Sequence, residues 1–154
     1  MILTGAIVPP FAVLHLAALL TRPLPRPLFA IALYAGSAAL FWSAVAVTRG
    51  LRRAACFQPY VPPVVVRRGP YRFIRHPFYV AYTLTWIAGY TATGWWPLGG
   101  TALVMATLYY FAAGEEEKRF QESSHREEYK AYAQAVGRFL PRPLARHSSA
   151  SPRR

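Results

Sequence analysis

The sequence predicts an all-α integral membrane protein with about four transmembrane helices and a cytoplasmic, amphipathic C-terminal helix. Hydrophobic residues make up 54% of the 154-residue chain and charged residues only 16%, against about 25% charged residues in a typical soluble domain. Four long apolar runs cover residues 2–20, 28–47, 78–96 and 98–113. All 18 lysine and arginine residues lie outside these runs, as expected for segments that cross a bilayer.

The four apolar runs predict spanning helices. Each approaches the roughly 17–25 residues that cross a bilayer, and the fourth is the shortest. Helices suit this environment because they satisfy their own backbone hydrogen bonds. The first run contains Pro9 and Pro10, so we expect a helix that is kinked or frayed at its N-terminus. A signal peptide is the alternative for this run, but no basic segment precedes it.

The basic residues predict the orientation of these helices. Seven lie between the second and third runs, and nine follow the fourth run, so one side carries 16 of the 18. The positive-inside rule makes that side cytoplasmic, which predicts a protein of the cytoplasmic membrane with both termini inside. The outer turn between the third and fourth helices is then formed by Trp95, Trp96, Pro97, Gly99 and Gly100.

The remaining segments predict cytoplasmic structure. Residues 48–75 contain four prolines, which predict a connection without continuous helix. Residues 115–136 predict a polar helix that continues from the fourth run and has a partly apolar face. Residues 142–154 are rich in Pro, Ser and Arg and predict a disordered basic tail near anionic headgroups. A single domain therefore covers residues 1–141.

Nucleic-acid binding, disulfides and metal sites are disfavoured. The net charge of +12 would suit nucleic acid, but the basic residues flank apolar runs, which indicates a membrane. Cys56 is the only cysteine, so the chain forms no internal disulfide and no Cys-based zinc cluster. The four histidines lack metal-ligand spacing, so no metal site is predicted.

Two polar clusters lie where apolar runs begin and end. The first is Gly69-Pro70-Tyr71-Arg72-Phe73-Ile74-Arg75-His76-Pro77-Phe78-Tyr79, and the second is Glu115-Glu116-Glu117. Charge at this depth is costly and usually has a partner or a function. If the third and fourth helices form a hairpin, both clusters reach the same side of the membrane. Together they predict a binding site for a small zwitterionic ligand.

These clusters resemble the signature of the isoprenylcysteine carboxyl methyltransferase family of integral-membrane enzymes. The resemblance covers residues 64–141, about half of the chain, which is the expected cofactor-binding half. Ala81 departs from the pattern, because many members have glycine there. The matching segments are Gly69-Pro70-Tyr71-Arg72, Arg75-His76-Pro77-Phe78-Tyr79, Glu116-Glu117, Glu128-Tyr129-Lys130-Ala131-Tyr132 and Arg138-Phe139-Leu140-Pro141.

The resemblance implies a methyltransferase that uses S-adenosylmethionine on the cytoplasmic side and a lipophilic or lipid-linked acceptor that enters from the membrane lipid. Arg75 is expected to pair with the cofactor carboxylate, and His76 to donate to the same group or to the ribose. Glu116 or Glu117 is expected to accept from the cofactor amino group, and only one faces it because adjacent helix positions point about 100° apart. The cofactor-binding candidates are Arg75, His76, Pro77, Tyr79, Glu116, Glu117, Tyr129, Tyr132 and Arg138.

The implied chemistry is an in-line displacement of a methyl group from a sulfonium. The protein must align the acceptor and exclude water. A carboxylate acceptor, such as that of a prenylcysteine-like substrate, is already ionised and needs no general base. We therefore assign no covalent nucleophile, and Arg75 and Glu117 are the best candidates for a catalytic contribution.

Alternatives stay open for the function and for single residues. A phospholipid N-methyltransferase has similar paired glutamates, and a sterol-reductase-like protein that uses a nicotinamide cofactor has a similar R-H-P pattern. A non-catalytic membrane protein would bind lipid or a partner through the basic inner surface. In that case Arg75 anchors a helix, His76 caps it before Pro77, and the tyrosines are interfacial aromatics. The acceptor and the oligomeric state are left open by the sequence.

Overall fold

The computed structural model describes residues 2–57 and 64–142. Over these residues the chain forms five α-helices and no β-strand, which confirms the all-α prediction for this part of the chain. Nearly all of the predicted basic tail, residues 143–154, lies outside the described residues. The elements are α1 (Ile2–Thr21), α2 (Pro27–Phe57), a 3-10 turn (Gly69–Arg72), α3 (Pro77–Thr93), α4 (Trp96–Gln121) and α5 (Arg126–Ala135).

The second helix is longer than the prolines suggested. α1 contains Pro9 and Pro10 within its range, and the kink or fraying expected there stays a prediction. α2 extends to Phe57, so the prediction that residues 48–57 belong to a non-helical connection was wrong. No proline occurs between Pro27 and Pro59, and the helix therefore continues through the basic segment.

α3 and α4 form a hairpin with a two-residue turn. Gly94 has a left-handed φ of 63°, and its amide donates to the Tyr90 carbonyl oxygen at 2.8 Å, a helix ending that favours glycine. α4 begins at Trp96, so Pro97, Gly99 and Gly100 lie in its first turns and the prediction that they form the outer turn was wrong. Proline fits there because the first helical amides need no intrahelical acceptor.

A serine turn separates α4 from α5, so the continuous helix predicted over residues 115–136 was also wrong. The Ser123 hydroxyl donates to the Phe120 carbonyl oxygen at 2.8 Å. The same hydroxyl oxygen accepts from the His125 amide at 3.2 Å. Serine side chains offer the backbone this alternative to helix. The turn lets α5 return and pack against α4.

α3 lies at the centre and packs against α1, α2 and α4. The contact with α2 is close because small residues such as Ala81 and Ala88 are buried in α3, at 1% and 0% exposure, and small side chains allow backbones to approach. The Ser37 hydroxyl of α2 donates to the Ala81 carbonyl oxygen at 2.7 Å. The alanine at the expected glycine position is thus fully enclosed by the α2–α3 contact.

A buried histidine attaches α1 to the other helices. The Nε2 atom of His15 lies 2.6 Å from the Tyr34 hydroxyl of α2. The His15 ring meets the Trp86 ring of α3 edge-on, with 5.3 Å between centroids. Gly89 leaves the space that this ring occupies, because a Cβ atom at that position would overlap it.

One segment among the described residues, Pro27–Arg49 in α2, is long and apolar enough to cross a membrane. The segment Val8–Thr21 in α1 is apolar but shorter. Membrane association is therefore supported by one helix near the N-terminus. The four-span topology expected from the sequence goes beyond this observation.

The fit between His15 and Gly89 predicts that Gly89→Ala lowers the stability of the protein by about 1–3 kcal/mol, since the new methyl group displaces a ring held by two neighbours. Thermal unfolding of the purified protein in detergent measures the effect. Gly36→Ala in α2 is the matched control, because a Cβ there meets nothing within 4 Å. Equal unfolding temperatures for the two variants would contradict the proposed packing of α1.

Candidate functional site

The segment that follows α5 lies alongside the segment that precedes α3. The Arg75 amide donates to the Gly137 carbonyl oxygen at 2.8 Å, and the His76 amide donates to the Arg138 carbonyl oxygen at 3.2 Å. These bonds continue a parallel β-bridge between Ile74 and Gly137. They bring the two ends of the motif-bearing half of the chain together, so that Arg138 lies beside Arg75 and His76.

Two further contacts fix α5 beneath this segment. The Tyr132 hydroxyl donates to the Tyr71 carbonyl oxygen at 2.7 Å. The Tyr129 ring stacks on the Phe120 ring at the end of α4, with 4.5 Å between centroids. Tyr129 and Tyr132, both buried, thus connect α5 to the segment before α3 and to α4.

Glu117 is the centre of an ion-pair cluster. Its Oε1 atom lies 2.9 Å from His76 Nε2, 3.0 Å from Arg138 Nε and 3.4 Å from Arg75 Nη1. Only 15% of the Glu117 side chain is exposed, so water screens these charges poorly. One carboxylate therefore holds three cationic groups that come from two distant parts of the sequence.

Glu116 has a different environment from its neighbour. It accepts a hydrogen bond from the Tyr79 hydroxyl at 2.5 Å, and its Oε2 atom lies 3.5 Å from His76 Nδ1. About half of the Glu116 side chain is exposed. The two glutamates thus contact opposite nitrogens of one imidazole, and only Glu117 also contacts the arginines.

His76 is the bridge between the two carboxylates. It occupies the N-cap position of α3, but its side chain makes no capping hydrogen bond, so the capping alternative does not describe its contacts. Pro77 follows as the first residue of the helix, where its lack of an N–H group is harmless. The His76 ring stacks on the Tyr79 ring at 5.7 Å and also contacts the Phe139 ring at 5.9 Å, measured between centroids.

The pKa shifts follow from these contacts. Burial disfavours the charged imidazole, but the hydrogen bonds from His76 to Glu116 and Glu117 outweigh it, so the pKa of His76 is raised above 6.5. Burial also opposes ionisation of Glu117, yet its bond to His76 and the charges of Arg75 and Arg138 lower its pKa below 4.5. Both shifts favour the charged forms, the Glu117 carboxylate and the protonated His76 imidazole.

The tyrosine hydroxyls of α5 stay neutral. Burial raises the pKa of Tyr129 to about 12, and burial likewise raises the pKa of Tyr132 to about 12.

The Tyr79 ring stacks on the Tyr109 ring, with 5.5 Å between centroids. The Tyr109 hydroxyl in turn accepts from Trp86 Nε1 at 3.2 Å. A column of aromatic residues therefore connects the site to the centre of the helix bundle.

Two cavities meet at this cluster, with volumes of about 650 Å³ and 190 Å³. Arg75, His76 and Glu116 line both, and no residue of either lining comes from α1. The larger cavity is completed by Phe41, Thr48, Tyr71, Pro77, Phe78, Tyr79 and Tyr82. The smaller is completed by Val64, Val65, Val66, Tyr71, Phe120, Tyr129 and Tyr132.

The structure brings all nine candidate residues into one region. Seven line the two cavities, whereas Glu117 and Arg138 lie behind them in the ion-pair cluster. Sequence reasoning gave no role to Tyr71, which lines both cavities, although it stands within the quoted motif. Sequence reasoning also gave no role to Phe41 and Tyr82, because the position of these two side chains depends on how α2 packs against α3. The described residues contain no group of three metal-ligating side chains.

The raised pKa of His76 predicts a specific pH dependence of stability. Its charge stabilises the fold fully below pH 6.5, its unfolded pKa, and this contribution is lost as the pH rises through the higher folded pKa. His76→Gln should therefore destabilise the protein most at low pH and least at high pH. Thermal unfolding of both proteins from about pH 5 to pH 9 measures the difference, and a gap that widens with rising pH would contradict the assignment.

The central position of Glu117 predicts that Glu117→Gln lowers stability by about 2–3 kcal/mol, because it leaves three cations without their shared counter-charge. Glu115→Gln is the matched control, since that side chain is 64% exposed and pairs with Lys118 at the surface, and it should change little. Chemical unfolding followed by circular dichroism compares the two. A control that loses as much stability as Glu117→Gln would show that the loss reflects net charge alone.

Comparison with protein-family models, with curated proteins and with solved structures finds no match for this chain.

Proposed function

We propose that this protein is a membrane methyltransferase that transfers a methyl group from S-adenosylmethionine to a lipophilic acceptor. The observation that carries the proposal is the pairing of opposite charges on one cavity: the Arg75 guanidinium and the Glu116 carboxylate both line the 650 Å³ space. The amino-acid end of the cofactor carries a carboxylate and an ammonium group. A cation and an anion on one wall complement that zwitterion.

The buried donors favour an anionic ligand group at Arg75. Its Nε atom is buried and has no hydrogen-bond partner among the described residues. Buried polar groups without partners are rare and often mark a ligand contact. The cofactor carboxylate would bind the Arg75 guanidinium where it lines the cavity, and Glu116 would accept from the amino group. Glu117 would keep Arg75 and His76 in place without touching the cofactor.

The smaller cavity suits the adenosine part of the cofactor. It combines three apolar side chains, Val64, Val65 and Val66, with the aromatic rings of Tyr129 and Tyr132. Flat rings and aliphatic groups provide a surface for a nucleobase. Since Tyr71 and Arg75 line both cavities, a ligand can occupy the two spaces together.

The chemistry that the cofactor supplies is an electrophilic methyl group on a sulfonium. The chain contributes alignment and a dry surrounding: Phe41, Phe78 and Tyr82 line the larger cavity on the side of α2 and α3, where they limit access of water. An ionised carboxylate acceptor needs no proton transfer. The raised pKa of His76 keeps its imidazole protonated more than usual, which favours such an acceptor over an amine that requires a base.

The acceptor is proposed to lie in a groove between α2 and α3. A cavity of about 370 Å³ is lined there by residues that include Phe41 and Tyr82, and these two also line the larger cavity. The groove therefore runs from the polar cluster towards the contact between Ser37 of α2 and Thr85 of α3. An apolar chain in this groove would place its polar head near Arg75 and Glu116.

The exposed surface supports a membrane location with α1–α4 as four spans. Only 17% of the apolar window in α2 is buried, unlike the core helix of a soluble protein. Large apolar side chains also face outward on the other helices, for example Leu16 of α1 and Leu103 and Phe111 of α4, with 58%, 70% and 64% exposure. Lipid would cover these surfaces, which water would not favour.

Calorimetry on the detergent-purified chain tests the proposal. We expect saturable binding of S-adenosylmethionine and S-adenosylhomocysteine, no binding of nicotinamide cofactors, and about tenfold or greater loss of affinity in Glu116→Gln. Glu115→Gln, one residue away and outside the cavities, should bind as the wild type does. Absent binding by folded protein would overturn the proposal. Saturable binding of a nicotinamide cofactor instead would favour the reductase-like alternative.

A further inference from the structure

A separate cationic cavity lies on the far side of Arg75, between the end of α4 and α5. Its volume is about 380 Å³. Arg75 forms one wall, and the remaining lining belongs to α4, α5 and the segment after α5: Gln121, Arg126, Tyr129, Lys130, Ala133, Gln134 and Arg142. The residues from α5 recur at helical spacing and share one face of that helix.

The charge of this cavity is unbalanced. Four of its lining side chains are cationic, and none is a carboxylate. Arg126, Lys130 and Arg142 form no ion pair among the described residues, and Arg75 pairs with Glu117 at 3.4 Å, outside the lining. Like charges that line one cavity repel one another. An anion in the cavity would remove that repulsion.

The donors around the cavity suit an oxyanion with several oxygens. The Arg142 guanidinium donates to the Gln134 carbonyl oxygen, and Arg75 pairs with Glu117 and donates to the Tyr129 hydroxyl at 3.5 Å. Two oriented guanidinium groups can offer planar pairs of donors, which match phosphate geometry. Lys130, Arg126 and the Gln121 amide add further donors to the lining.

We propose that this cavity is a binding site for a phosphate group. The phosphate can belong to the headgroup of an anionic lipid or to a soluble anion, and the chemistry of recognition is the same for both. The site does not depend on the proposed methyl transfer, since none of the residues Arg126, Lys130 and Arg142 lines the two cavities assigned to the cofactor. It can therefore be tested without cofactor.

The test uses the full chain in detergent and two probes. Native mass spectrometry counts phosphatidylglycerol retained by the protein, with phosphatidylcholine as the zwitterionic comparison, and calorimetry measures binding of inorganic phosphate. The variant is Arg126→Gln with Lys130→Gln. The matched control is Arg68→Gln with Arg72→Gln, which removes the same charge from two exposed side chains outside the cavity.

We expect the cavity variant to lose about tenfold or more in affinity for a saturable probe, with the control unchanged. Specific retention of phosphatidylglycerol identifies a lipid headgroup as the source, and saturable inorganic phosphate identifies a soluble anion. Circular dichroism checks that α5 stays folded, and Lys130→Arg should retain binding. The proposal is overturned if both double variants lose affinity equally, if neither does, or if neither probe binds saturably.

Discussion

The arrangement of the site depends on the carboxylate of Glu117. Backbone hydrogen bonds between residues 74–76 and 137–138 bring Arg75, His76 and Arg138 within reach of one another. Three cationic groups that water screens poorly repel one another, and removing them from water costs free energy. Glu117 contacts all three. The docking of the C-terminal segment and the orientation of the cavity-lining arginine are therefore two consequences of one ion-pair cluster.

The sequence could predict the helices and the grouping of the motif residues, because both follow from local pattern. Apolar runs mark the helices, and a hairpin of two neighbouring runs brings Arg75 and Glu116 to one end. The helix boundaries that were predicted wrongly depend on particular residues. α2 continues because no proline interrupts it before Pro59, and α4 ends at Gln121 because the Ser123 side chain forms a turn there. Composition shows neither effect, since both act at single positions.

The different roles of Glu116 and Glu117 have a physical cause in the burial pattern along α4. Met105, Tyr109 and Ala113 are buried along α4 at intervals of four residues, and the next position in this series is Glu117. Residues four apart lie on one face of a helix, so Glu117 continues the face that packs inward, whereas Glu116 points about 100° away from it. The cavities themselves could not be predicted in this way, because Phe41, Tyr82 and Tyr129 meet there only through packing between helices.

Arg75 connects the two proposed ligand sites. It lines the 650 Å³ cavity, the 190 Å³ cavity and the cationic cavity beside α5. Its guanidinium forms an ion pair with Glu117. An anion on either side lowers the positive potential that an anion on the other side experiences. If the cofactor carboxylate and a phosphate group bind as proposed, each therefore weakens the affinity for the other, and thermodynamic linkage requires that the weakening be mutual. The same guanidinium that favours the cofactor would then make its binding sensitive to a phosphate group in the cationic cavity beside α5.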